Sequence, residues 1–252
     1  MIETTAQELT IGFNVKDYIK GLGIKECNEC KEIQALQEAK NKNIKVAPLF
    51  WQGEGRQGIP LVIMGINPSV VGTDNEPKRG CDFESYFNYY QNRNESENEN
   101  KKQARKGGFA RKIPVGYWTR CQNLARQLIG DETPRWKNYV LMEAIHCFYD
   151  KESDLGKEDS IKVIRRCFDT YTKQILLFLK PKKMVLFGKA PYELLLPHLE
   201  KVIGDYEFCS LQIESLGIPV LRHPHPSGFA SADFYMPDRY HDFKSYCEKG
   251  FA

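Results

Sequence analysis

Residues 62–72 read VIMGINPSVVG. The branched apolar run stops abruptly at Gly65-Ile66-Asn67-Pro68-Ser69. Such a short apolar run suits a buried strand. Pro68 pushes Asn67 out of helical geometry, so the chain turns there. Read plainly, Asn-Pro is a turn pair. Read chemically, it is a strand end that holds one polar side chain above a sheet.

Outward from this stretch, three more segments read as buried strands: YVLMEAI at 139–145, KMVLF at 183–187 and IPVLR at 218–222. Helical patterns lie between them. YWTRCQNLARQLIG, 117–130, ends in a glycine suited to a helix C-cap. DSIKVIRRCFDTYTKQILLFLK, 159–180, opens on a capping Asp-Ser and is stopped by Pro181. APYELLLPHLEKVI, 190–203, reads as a third helix. Alternating strands and helices predict an α/β fold: a three-layer α/β/α sandwich around a central, mainly parallel, four-stranded sheet. Such sheets place their sites at the carboxyl ends of the strands. GINPS, HCFYD, GKAP and HPHPSG all follow strands and converge on one rim.

The chain has 252 residues, 41% hydrophobic and 27% charged, with a formal net charge of +3. That is ordinary for a globular protein and long enough to bury a core without staples. The charge permits a basic surface without demanding a nucleic-acid partner. No apolar run is long enough to span a membrane, so no membrane association is expected. The N-terminus, MIETTAQELT, resembles no targeting peptide, and a cytoplasmic location is expected. We read residues 1–252 as a single domain and expect a monomer. One stretch, at about 88–108, is polar and nearly free of aliphatic residues, and reads as a flexible insertion. Its Lys and Arg residues are either merely solvated or available to phosphate.

Eight cysteines in a reducing compartment call for a reason other than disulfides. KECNEC places Cys27 and Cys30 so that both sulfurs can face one centre. Cys147 sits at a strand end, and Cys167 in the next helix. Four thiolates from these positions suit zinc or an iron–sulfur cluster, and spacing alone favours zinc. Cys81, Cys121, Cys209 and Cys247 read as small, mostly buried hydrophobes.

Taken together, the CxxC, the strand ending in GINPS, the two later cysteines, FGKAP and HPHPSG resemble the uracil-DNA glycosylase superfamily. The nearest branch is the iron–sulfur one, of the family 4 type. The resemblance covers roughly residues 20–245 outside the insertion. It implies a 4Fe–4S cluster on Cys27, Cys30, Cys147 and Cys167, with structural zinc as the alternative. It implies a monofunctional DNA glycosylase whose partner is DNA containing a damaged or modified base. Asn67 falls where the mismatch-specific branches carry the residue that handles the attacking water. An amide can orient water but cannot take its proton. Gly65 and Ile66 line the base pocket, and Gly65 lets the backbone approach a ligand. His225 falls where the family's histidine stabilises the departing base, with His223 as the rival. Ser227, Gly228 and Phe229 fall in the loop that meets DNA, Phe229 as an apolar wedge or a packed loop aromatic. Phe83 is the candidate to stack on an extruded base, with Tyr86 and Tyr117 as alternatives. Lys189 lies near the rim and could touch DNA or simply face solvent. His146, His198 and His241 read as structural.

Two residues depart from the strict uracil enzymes. Where the iron–sulfur branch carries a base-reading asparagine, this chain has Glu143. An ionised carboxylate accepts hydrogen bonds only; it opposes uracil O4 and welcomes an exocyclic amine. Alternatively Glu143 points away from the pocket, one residue out of register. The strictest enzymes put a bulky aromatic after the Asn-Pro pair, where this chain has Ser69, leaving room at the pyrimidine C5. Both changes point from uracil toward a 5-substituted cytosine; attack on modified phage DNA is then the alternative to genome repair. A non-catalytic DNA-binding protein on the same fold is the other functional class.

Overall fold

Branched and aromatic side chains build four short strands at the centre of the molecule: Leu61–Gly65, Tyr139–Glu143, Met184–Phe187 and Leu216–His223. The structure is a computed structural model. It describes residues 15–23, 27, 29–40, 51–53, 56–65, 81–82, 84–85, 88, 117–130, 138–147, 157–203, 208–224 and 237–249. In chain order the elements are α1 (Val15–Leu22), α2 (Lys31–Lys40), β1 (Trp51–Gln52), β2 (Leu61–Gly65), α3 (Tyr117–Ile129) and β3 (Tyr139–Glu143). Next come α4 (Lys157–Cys167), a π-helical turn (Phe168–Thr172), α5 (Lys173–Leu179), β4 (Met184–Phe187) and α6 (Lys189–Leu195). A 3₁₀ turn (Leu196–His198), β5 (Leu199–Ile203), β6 (Phe208–Ile213), β7 (Leu216–His223) and α7 (Pro237–Lys249) complete the set.

The strands form one sheet in the order β1-β3-β2-β4-β7-β6-β5. The four central strands run parallel. β1, β6 and β5 pair antiparallel at the flanks. The α/β expectation with a parallel centre holds, but among the described residues the sheet has seven strands rather than four. The run at 190–203 also differs from expectation. Its helix ends at Leu195, a 3₁₀ turn forms around Pro197, and residues from Leu199 join the sheet edge as β5. Proline supplies no N–H to continue a helix.

Alternation along each strand sends neighbouring side chains to opposite faces. Val62, Met64, Val140, Met142, Met184 and Leu186 share one core cluster with Ile33 of α2, Val163 and Ile164 of α4, Leu176 of α5 and Leu195 of α6. Leu61, Ile63, Leu141, Val185 and Phe187 share a second with Leu124 and Leu128 of α3 and Phe243 of α7. Helices therefore cover both faces. Each fully buried aliphatic side chain contributes about 1.5–3 kcal/mol. An exposed pair such as Lys173–Glu214, at 3.0 Å, contributes at most about 1 kcal/mol. Apolar packing, not surface charge, holds the layers. α3 ends at Gly130, whose φ of 127° suits glycine and whose amide bonds the Arg126 carbonyl at 2.9 Å. Among the described residues no helix is long and apolar enough to cross a membrane.

Candidate functional site

The four cysteines of interest come from separated segments. Cys27 and Cys30 precede α2, Cys147 follows β3, and Cys167 ends α4. All four line one pocket, together with Glu29, Ile145, His146, Arg166, Thr170 and Tyr171. They are 5–8% exposed, are free thiols, and belong to the core cluster on the α2/α4 face of the sheet. The π-helical turn begins immediately after Cys167 and carries Tyr171 to the pocket and Thr172 to His146. π turns inside α-helices often mark functional sites.

Polar groups surround the sulfurs. The His146 backbone N–H donates to Cys167 Sγ at 3.3 Å. The Arg166 guanidinium donates to Cys30, to the Glu29 carbonyl at 2.7 Å and to Glu32 Oε2 at 3.3 Å. Tyr171 shares a hydrogen bond with Cys27. The His146 ring meets Thr172 Oγ1 at 3.1 Å. Burial pushes the Cys30 thiol up, against the opposing pull of Arg166. Burial, followed by the proximity of Cys147, pushes Cys167 well above the thiol range. Bringing these sulfurs together as thiolates therefore requires a positive partner.

The chemistry of this donor set fits such a partner: four soft, buried, unoxidised thiols facing one space. Among the described residues, no three His, Cys, Asp or Glu side chains form a ready-made site for a single metal ion. Tetrahedral zinc, with Zn–S near 2.3 Å, needs sulfurs within about 3.8 Å of one another. Four thiolates are also the donor set of a four-iron cluster, so the residues present fit either group.

The carboxyl rim lies at the ends of the parallel strands. Gly65 pairs with Glu143, Phe187 pairs with His223, and Met64 pairs with Leu186, so these strand ends form one row across the sheet. Two bonds close the row: Ala144 N–H to the Gly65 carbonyl at 3.0 Å, and Gly188 N–H to the His223 carbonyl at 2.8 Å. By strand alternation Gly65 and Glu143 face the α3/α7 side, opposite the cysteines. Glu143 is 8% exposed, and a methyl added at Gly65 would collide with its carboxylate. The glycine is thus the space into which Glu143 folds.

His223 is 1% exposed. Its Nδ1 donates to the Pro224 carbonyl at 2.9 Å, and its Nε2 accepts from the Tyr240 hydroxyl at 2.9 Å in the matching neutral tautomer. Its ring stacks on Tyr240 and meets Phe187 edge-on. Both nitrogens are committed, so His223 braces β7 against α7.

The expected cysteines are therefore gathered, and Gly65 and Glu143 adjoin. Asn67, Ile66, Ser69, Phe83, Tyr86, His225, Ser227, Gly228 and Phe229 lie outside the described residues. So does the insertion at about 88–108, apart from Asn88. Lys189 opens α6 and Tyr117 opens α3, without described side chains. Cys121 and Cys209 are fully buried as expected, whereas Cys81 and Cys247 are only partly so. Of the histidines read as structural, His146 is buried, His198 packs on Phe168 and His241 is exposed on α7. Arg166, Tyr171 and Tyr240 were not singled out from sequence. No local pattern connects Arg166 or Tyr171 to Cys30 and Cys27, or Tyr240 to His223, because each partner lies on a different segment of the chain.

The fold and site define an α/β protein with a four-cysteine pocket behind one sheet face and a rim of strand ends in front. No protein-family model matches the chain, and no curated protein matches it.

Proposed function

We propose that the chain is a monofunctional DNA glycosylase, as its resemblance to the iron–sulfur branch of the uracil-DNA glycosylase superfamily implies. The observation that carries this reading is the gathering of Cys27, Cys30, Cys147 and Cys167 at one pocket. These are the positions the resemblance requires, and they come from three segments of the chain, at Cys27 and Cys30, at Cys147 and at Cys167. The resemblance, not the geometry, selects a 4Fe–4S cluster over structural zinc as the group these thiolates hold. The cluster, when bound, fastens the N-terminal segment to the β3 tail and to α4.

At the rim, Asn67 orients a water toward the sugar carbon of an extruded nucleotide. The water oxygen bonds to that carbon as the N-glycosidic bond breaks, the base departs with the bonding electrons, and the proton shed by the water passes through solvent to the departed base. His225 stabilises the charge on the leaving base. The commitment of both His223 nitrogens supports His225 in this role. Glu143 accepts a hydrogen bond from an exocyclic amine, which selects a 5-substituted cytosine over uracil, with Ser69 leaving room at C5. The nearness of Glu143 to Gly65 at the strand ends supports this specificity over an outward-facing carboxylate. On this reading the enzyme acts as a monomer in the reducing cytoplasm, with attack on modified phage DNA as the alternative to genome repair.

Asn67→Ala tests the reading. Base release should fall by about 10²-fold or more while DNA binding is retained, since positioning of the water is lost. Undiminished release contradicts the assignment. DNA binding without release of any base by the wild type identifies a non-catalytic DNA-binding protein.

A further inference from the structure

Sulfurs that carry negative charge in a buried pocket need hydrogen-bond donors as well as a metal. Three of the four cysteines have an identified donor from a different part of the chain. The His146 N–H points at Cys167 Sγ, at 3.3 Å. The Arg166 side chain reaches Cys30, and its Nη1 is fixed by the Glu29 carbonyl and Glu32 Oε2. The Tyr171 hydroxyl reaches Cys27 from the π-helical turn. Arg166 and Tyr171 both line the pocket. Each lies close in sequence to Cys167 yet acts on a cysteine more than 130 residues away.

We propose that Arg166 and Tyr171 are positioning residues for the bound cluster, holding Cys30 and Cys27 through N–H···S and O–H···S hydrogen bonds that draw charge from the iron–thiolate bonds. This rests on the iron–sulfur reading above. Hydrogen bonds to ligand sulfurs stabilise the more negative, reduced state of a cluster and raise its reduction potential. Arg166 also lines the pocket with its side chain 35% exposed and paired with Glu32.

The test compares wild type, Tyr171→Phe, Arg166→Ala and Arg166→Lys as purified, anaerobically prepared proteins. Resonance Raman spectra report the iron–thiolate stretching bands, and chelator-driven iron release reports the hold on the cluster. Tyr171→Phe and Arg166→Ala should each shift the stretching bands to higher frequency and release iron several-fold faster. Arg166→Lys retains charge but loses the fork and should fall between wild type and Arg166→Ala. A brown wild type whose bands do not move in either Tyr171→Phe or Arg166→Ala overturns this inference and leaves the iron–sulfur reading intact. A wild type purified without iron overturns both.

Discussion

At Gly65 the missing side chain makes room for a carboxylate. The Glu143 carboxylate occupies the volume that any Cβ would take. Gly65→Ala should therefore displace Glu143 from the rim and lower base release by up to about a hundredfold, a cost typical of misplacing a group by about 1 Å. The check is single-turnover base release, with circular dichroism confirming an intact fold. Normal release by a folded Gly65→Ala protein would remove Glu143 from the site. Much of this scale was legible in the sequence. Cysteine spacing and the Glu143 position both came from short motifs. Arg166 and Tyr171 were not legible as site residues, because each meets a partner more than 130 residues away, and only the folded chain brings them together. The choice between His223 and His225 likewise turned on Tyr240, which no local pattern connects to β7.

Among the elements, the parallel strands were readable because they are buried on both faces and so carry continuous apolar runs. The flanking strands were not. β1 spans two residues and has no period, and β5 follows a leucine-rich helix closely enough to extend its apparent pattern. Pairing with β6, not composition, makes it a strand. The junction of α3 with the sheet carries a pH prediction. Lys183 Nζ donates to the Leu128 carbonyl at 3.2 Å, and burial lowers its pKa below the usual lysine value of 10.5. Between those two values the unfolded chain binds more protons than the folded one, so this group makes stability rise with pH there. The contribution is complete above the ordinary lysine pKa and absent below the lowered one. Denaturant midpoints across the alkaline range should therefore rise less steeply for Lys183→Met than for wild type. Parallel pH profiles would show that Lys183 titrates normally in the folded protein.

Over the whole molecule, the sheet separates two jobs. One face buries the four cysteines beside α2 and α4, while the rim residues Gly65 and Glu143 turn toward the α3/α7 side. On the proposed function, a cluster held by these cysteines would be a fastening rather than part of the bond-breaking machinery. Cys147→Ser should give a colourless or faint protein with lower stability. A loss of about 3 kcal/mol corresponds to a fall of about 6–12 °C in Tm for a chain of this size. An unchanged Tm by calorimetry, in a protein that has lost its iron, would refute the fastening role. The most direct measurement of all is base release by wild-type protein from oligonucleotides carrying uracil, hypoxanthine or 5-substituted cytosines, single- and double-stranded, with Asn67→Ala as control. Release of substituted cytosines, weak or absent release of uracil, and an inactive Asn67→Ala control are the predicted results. Preferred release of uracil would contradict the role given to Glu143, and release of no base would contradict the glycosylase itself.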